Sequence, residues 1–383
     1  MDYAQTSLRK HKDTGGKIEI KSKFPAIVTT DDLSIAYTPG VAAVSTYIAQ
    51  NPAAVYDYTI KGNTIAIVSD GSAVLGLGNI GPFGALPVME GKALLMKEFA
   101  NVDAFPLVLS TQNPEQIIAT VKAIAPTFGG INLEDISAPR CFEIETRLKA
   151  ELDIPVFHDD QHGTAIVVLA ALINSLKLKE KVPQKVKIVI SGAGAAGVAT
   201  AKLLLSYGVK NIILVDSHGI ISLSRSDLNP TKTELAKLTN PENLSGNLST
   251  ALVNRDVFIG VSAPNIVTPQ MVSSMAPQPI VFALANPIPE IMPEQAFAGG
   301  AYIVGTGRSD YPNQINNVLA FPGIFRGLLD SRKHQITETI KLAAARAIAN
   351  MIPEKDLNPN FIIPSSLNKS VAKQVAAAVA NTT

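Results

Sequence analysis

Short runs of β-branched and apolar residues recur along the chain, each closed by turn residues and followed by a helical pattern. The runs are TIAIVS (64–69), FPLVLS (105–110), GINL (130–133), IPVF (154–157), KIVIS (187–191), NIILV (211–215), VFIG (257–260), IVFAL (280–284) and YIV (302–304). Nearly unbroken apolar runs are what strands buried on both faces require, and strand, turn, helix, strand is the rhythm of a doubly wound parallel sheet. Helical patterns begin near Pro114, run over about 164–178, and return over 334–350 and 369–380. The charged stretch KLKEKVPQKVK (177–187) reads as the approach to a new strand. The pattern therefore predicts an α/β protein divided near residue 160. Residues 1–160 should form a three-layer α/β unit and 161–383 a Rossmann-type doubly wound unit with C-terminal helices.

Composition narrows the partners. The 33 Lys+Arg against 32 Asp+Glu leave a net charge of +1, without the basic excess that a nucleic-acid surface needs. The longest uncharged apolar run, AIVVLAALI from Ala165, falls short of the roughly 20 residues of a membrane span. The polar start lacks the apolar stretch of a signal peptide. A single cysteine, Cys141, cannot form an internal disulfide, which suits a reducing compartment, so a cytoplasmic location is expected.

After KIVIS come Gly192, Ala193, Gly194, Ala195, Ala196 and Gly197, and then the helical VATAKLLLSYG. The first glycine permits a tight turn, the second lets the backbone approach a pyrophosphate, and the third allows close helix–strand contact. The helix N-terminus then offers unpaired N–H groups to the phosphates. The next strand ends at Asp216, whose carboxylate can accept hydrogen bonds from the adenosine ribose. A carboxylate there favours NAD over NADP, although Arg225 on the following loop is placed to reverse that preference. A second G-x-G-x-x-G, Gly76 to Gly81, lacks the preceding strand and the distal acid. It reads better as a loop whose N–H groups hold a substrate carboxylate.

Two adjacent acid pairs, Glu134-Asp135 and Asp159-Asp160, each follow a short apolar run. In a parallel sheet the carboxyl ends of strands share one edge. Four carboxylates on that edge repel unless a hard divalent cation such as Mg²⁺ or Mn²⁺ neutralises them. His158 and His162 flank the second pair, but the segment crosses a strand-to-helix turn, which argues against a zinc site.

These residues resemble the malic enzymes, in their compact bacterial branch. The resemblance lies in IAYTPGVA (35–42), SDGSAVLGLGNIG (69–81), PVMEGKALLMKEFANVDA (87–104), INLEDISAPRCFEIE (131–145), FHDDQHGTA (157–165), SGAGAAG (191–197), ALANPIPE (283–290) and NQINNVLAFPGIFRG (313–327). It implies conversion of L-malate and NAD, with NADP as an alternative, to pyruvate and CO₂, and it implies a homodimer. It further implies Tyr37 as general acid, Lys92 as general base, and Glu134, Asp135 and Asp160 as ligands of Mn²⁺ or Mg²⁺. Asp159 would orient the catalytic groups, and Asn286 and Asn317 would hold substrate and nicotinamide. On this reading burial and the cation should lower the Lys92 pKa from its usual value of about 10.4. Two departures stand out: Ala73 replaces an arginine of longer relatives, and GPFGALP differs from the branch pattern at Phe83 and Gly84. Within the family, oxaloacetate decarboxylation as the main activity is the alternative reading. A nucleotide-sensing module with a dead site is the alternative outside it.

Overall fold

The computed structural model describes residues 2–74 and 76–382. Four parallel strands, β1 (Thr64–Ser69), β2 (Asp103–Val108), β3 (Gly130–Leu133) and β4 (Val156–His158), form a sheet in the order β2-β1-β3-β4. Six more form a second sheet: β5 (Lys187–Ser191), β6 (Asn211–Asp216), β7 (Gly219–Ile220), β8 (Val257–Gly260), β9 (Ile280–Ala283) and β10 (Ile303–Thr306), in the order β10-β9-β8-β5-β6-β7. All its pairings are parallel except the short β7, which turns back on β6. β7 has no counterpart in the hydropathy pattern, because two residues are too few to show a period.

Register places the chemistry. Leu133 on β3 lies beside His158 on β4. The next residues of each chain, Glu134-Asp135 and Asp159-Asp160, therefore leave the sheet side by side. The helix Asp159–Leu178 starts directly at the second acid pair, about five residues before the apolar pattern begins. Acids in a first turn suit the positive end of the helix dipole, so polar residues open a helix whose body is apolar. Among the described residues this is the one helix long and apolar enough by length and composition to cross a membrane, yet most of it is buried inside the protein.

That helix joins the two halves. One continuous core contains Ile65 and Phe157 from the first sheet, Met96 from the helix Gly81–Ala100, and Ile188, Leu214, Phe282 and Ile340 from the second part of the chain, packed around Ala165–Leu172. The C-terminal part returns to the first unit. Helix Phe321–Ser331 packs on helix Gly81–Ala100, and the Phe325 ring meets Phe157 edge-on at 5.9 Å. In contrast, helices Tyr3–Thr14, Thr30–Ala36 and Val41–Gln50 contribute no buried residue.

Candidate active site

Helix Gly81–Ala100 buries Ala85, Met89, Lys92, Ala93 and Met96 on one face against the first sheet. Lys92 is thus carried into the interior by the spacing that buries its apolar neighbours. Its Nζ donates to Asp159 Oδ2 at 2.6 Å and lies 2.9 Å from Glu134 Oε1. The Phe321 ring covers it at 4.2 Å. The other Glu134 oxygen accepts from Asn132 Nδ2 at 2.7 Å, and Asp159 Oδ2 also accepts from the Asn317 amide. Asn317 arrives from the second half of the chain, so the two parts meet on one carboxylate.

Charge balance in this cluster differs from the sequence expectation. Burial does push the Lys92 ammonium down, but the charges of Asp159 and Glu134 outweigh it and hold its pKa above the ordinary lysine value. Burial raises the Asp159 carboxyl to about 6 against the pull of Lys92. Asp160 also rises to about 6, chiefly through burial. Of the two causes expected to lower the Lys92 pKa, burial alone is outweighed by the two carboxylates within hydrogen-bond reach, so a fall depends on the cation.

Glu134, Asp135 and Asp160 each offer an oxygen, and the three lie within 4.8 Å of one another. Asp160 Oδ2 accepts from the Asp135 backbone N–H at 2.8 Å, and Asp135 itself adopts the left-handed region at φ 55°. A non-glycine residue held there is costly, by about 1–3 kcal/mol, and such strain collects at functional sites. An all-oxygen, mostly buried donor set with Asp160 about a third open (31%) fits a hard divalent cation. His158 is fully buried beside this cluster, and His162 instead contacts Glu145.

The dinucleotide loop has the geometry its glycines imply. Gly192 has φ 109°, and a Cβ on it would fall 2.5 Å from the Val261 carbonyl oxygen. A Cβ on Gly197 would fall 1.8 Å from the Gly192 carbonyl oxygen, while Gly194 faces open space. Helix Ala195–Tyr207 begins there with no side-chain cap, leaving its N–H groups for a ligand. The loop lines a cavity of about 880 Å³ together with Ser191, Asp216, Arg225, Lys232 and Ser262. Ala193 lines it too, and Ala195 and Ala196 open the helix.

Asp216 is engaged on both oxygens. Arg225 Nη1 donates to Oδ1 at 2.7 Å and Lys232 Nζ to Oδ2 at 2.6 Å. Burial pushes this carboxyl up, but the hydrogen bonds from Arg225 and Lys232 hold it at about 2. Lys232 had no signal in the sequence, since it lies sixteen residues downstream on another helix. Asn132 did have one: it is the single polar side chain within the buried strand GINL.

The remaining candidates are spread out. Asn286 follows β9, and its carbonyl oxygen lies 2.8 Å from where a Cβ on Gly76 would sit, so the second glycine loop touches the nucleotide domain. Tyr37 caps helix Thr30–Ala36 and is 67% exposed; no hydrogen bond or ring contact joins it to Lys92 among the described residues. No arginine stands at Ala73; Arg140 reaches that loop but donates to Asp70 at 2.9 Å.

A nucleotide-binding sheet joined to a cleft of carboxylates around a buried lysine defines a metal-assisted, dinucleotide-linked oxidoreductase. Residues 16–149 match the family described as malic enzyme, N-terminal domain, and 161–383 match malic enzyme, NAD binding domain. The chain belongs to the malic enzyme family. It is 62% identical to an NAD-dependent malic enzyme of Geobacillus stearothermophilus, over 95% of this chain and 76% of that one. It is 56% identical to a bifunctional malic/malolactic enzyme of Bacillus subtilis, over 99% of this chain and 93% of that one. The crystal structure of an NAD-dependent malic enzyme from Thermotoga maritima superposes with a TM-score of 0.95 at 52% identity, covering 98% of this chain and 99% of that one.

Two predictions arise from this geometry. A Cβ on Gly163, one turn beyond Asp159, would lie 1.9 Å from Asp159 Oδ1. Gly163→Ala should therefore displace Asp159 from Lys92 and lower turnover by about 10²-fold, the scale of a 1 Å misplacement. Steady-state kinetics on the folded variant check this, and wild-type kcat would contradict it. The second concerns the nucleotide. Lys232→Ala removes a cation beside the ribose end of the cavity, so NADP use should fall relative to NAD by about tenfold or more, the value of one charged hydrogen bond. An unchanged ratio of kcat/KM values would remove Lys232 from nucleotide selection.

Proposed function

We propose that this protein oxidises and decarboxylates L-malate to pyruvate and CO₂, with NAD as hydride acceptor, and that Glu134, Asp135 and Asp160 hold Mg²⁺ or Mn²⁺. The observation that carries this reading is the buried Lys92 bonded to Asp159 and Glu134 beside the three clustered carboxylate oxygens. The names of the two bacterial relatives agree with it.

Lys92 accepts the proton of the C2 hydroxyl as hydride leaves C2 for the nicotinamide. To do so it must first be an amine. Asp159, within 2.6 Å, orients the Lys92 nitrogen for that step. When bound, the divalent cation supplies positive charge that opposes protonation of Lys92 and stabilises the enolate left by loss of CO₂. Asn317 holds Asp159 in place, and Asn286 borders the substrate and nicotinamide. Gly192, Gly194 and Gly197 shape the pyrophosphate seat, and Asp216 stands at the ribose end.

Tyr37 protonates C3 of enolpyruvate. The N-terminal segment that carries it also exposes other large apolar side chains, including Phe24, Val28, Ile35 and Tyr58. Exposed apolar side chains in this number are costly in water, and a homodimer with Tyr37 at its interface would cover them. A cytoplasmic location accompanies this reading, with Cys141 buried and unbridged.

The test follows NADH formation from L-malate and CO₂ release from oxaloacetate, each with Mn²⁺. Malate should yield NADH and pyruvate in equal amounts. Asp135→Asn should abolish both reactions and leave NAD affinity intact, because the nucleotide loop belongs to the other sheet. Release of CO₂ from oxaloacetate with no NADH from malate would overturn the oxidative reading.

A further inference from the structure

Beneath the metal-binding turn lies a buried carboxylate that the reaction does not use. Glu145, on helix Arg140–Glu151, is only 5% exposed. Every donor around it comes from its own helix or from the 158–162 segment. Its Oε1 accepts from the His158 backbone N–H at 3.2 Å, from His162 Nε2 at 2.8 Å and from Lys149 at 2.6 Å. Its Oε2 accepts from Gln161 Nε2 at 3.2 Å and from His162 Nε2 at 3.0 Å. Bonds from three residues thus bracket Asp159 and Asp160: from His158 just before them and from Gln161 and His162 just after.

We infer that Glu145 is a positioning residue for the divalent-cation site, fixing the turn that presents Asp159 to Lys92 and Asp160 to the cation. The inference rests on the metal-site reading above. The other bonds at this turn, from Lys92 and Asn317 to Asp159 and from the Asp135 N–H to Asp160, hold the acid side chains, whereas Glu145 also grips the backbone at His158. No side chain caps the N-terminus of helix Asp159–Leu178, and the helix opens with two acids whose mutual repulsion favours spreading apart. Position 145 also demands a carboxylate rather than an amide. Both oxygens accept, and an amide has one acceptor oxygen and would turn N–H groups towards Gln161 or His162. The bonds are charge-assisted through the Glu145 carboxylate itself, which stays ionised beside the Lys149 ammonium at 2.6 Å in spite of burial, while burial keeps His162 a neutral donor. Partners that orient metal-binding side chains typically change metal affinity by about 10–100-fold when removed.

The experiment titrates the whole protein with Mn²⁺ and reads free Mn²⁺ by electron paramagnetic resonance. It compares wild type, Glu145→Gln and Asp160→Asn, with NAD affinity and thermal unfolding measured alongside. Glu145→Gln, which keeps the volume, should weaken Mn²⁺ binding by about 10–100-fold while NAD affinity stays unchanged. Asp160→Asn should lose Mn²⁺ more completely. Wild-type Mn²⁺ affinity in Glu145→Gln, with Asp160→Asn impaired, overturns the inference alone. Wild-type affinity in Asp160→Asn overturns the metal-site reading beneath it. Parallel loss of Mn²⁺ affinity, NAD affinity and unfolding temperature in Glu145→Gln makes Glu145 a general structural residue and also overturns the inference. If Glu145→Gln does not fold, His162 carries the same test. His162→Gln retains a donor towards Glu145 and should keep Mn²⁺ affinity, whereas His162→Leu should lose it; equal affinity in the two contradicts the clamp.

Discussion

The structure is organised around one buried ammonium. Lys92 lies under the Phe321 ring and contacts two buried carboxylates, Asp159 and Glu134. Burying these charges is expensive, and removing one partner from such a cluster costs about 3–5 kcal/mol because an uncompensated charge stays behind. The arrangement is tolerable only where the fold supplies further hydrogen bonds. Asn132 provides one to Glu134 and Asn317 one to Asp159. The β3–β4 register and the buried face of helix Gly81–Ala100 deliver all three charged groups to the same place.

This cluster also explains why the two halves of the chain are not independent bodies. Asn317 and Phe321 come from the nucleotide-binding part but serve the carboxylate edge of the first sheet. The Asn286 carbonyl meets the glycine loop at Gly76 from the other side. Hydride acceptor and proton acceptor must be held in fixed relation for the chemistry, and a shared core around helix Asp159–Leu178 provides that rigidity.

Much of this was legible in the sequence, for identifiable reasons. Strands buried on both faces announce themselves as apolar runs, and nine runs correspond to nine of the ten strands. The acid pairs were conspicuous because carboxylates just after apolar runs must stand at strand ends. The glycine fingerprint carried its own geometry. What escaped depends on contacts distant in sequence. That burial alone does not lower the Lys92 pKa was hidden because the carboxylates that outweigh it, Asp159 and Glu134, sit on other elements. The pairing of Lys232 with Asp216 and the grip of Glu145 on His162 likewise appear only when separate elements meet. The start of helix Asp159–Leu178 was misplaced because its first turn is polar, and a polar turn shows no apolar period.

The claim that Lys92 moves the substrate proton is tested most directly by chemical rescue. Lys92→Ala leaves a small buried space beside Asp159 and Glu134, into which a primary amine can diffuse. With malate, NAD and Mn²⁺ saturating, small amines added to the folded variant should restore NADH formation. Among amines of similar size, the restored rate should rise with the basicity of the amine, as general-base catalysis requires. Binding of Mn²⁺ and NAD at wild-type strength, with no amine restoring turnover, would contradict a proton-transfer role and leave Lys92 as a structural counter-ion.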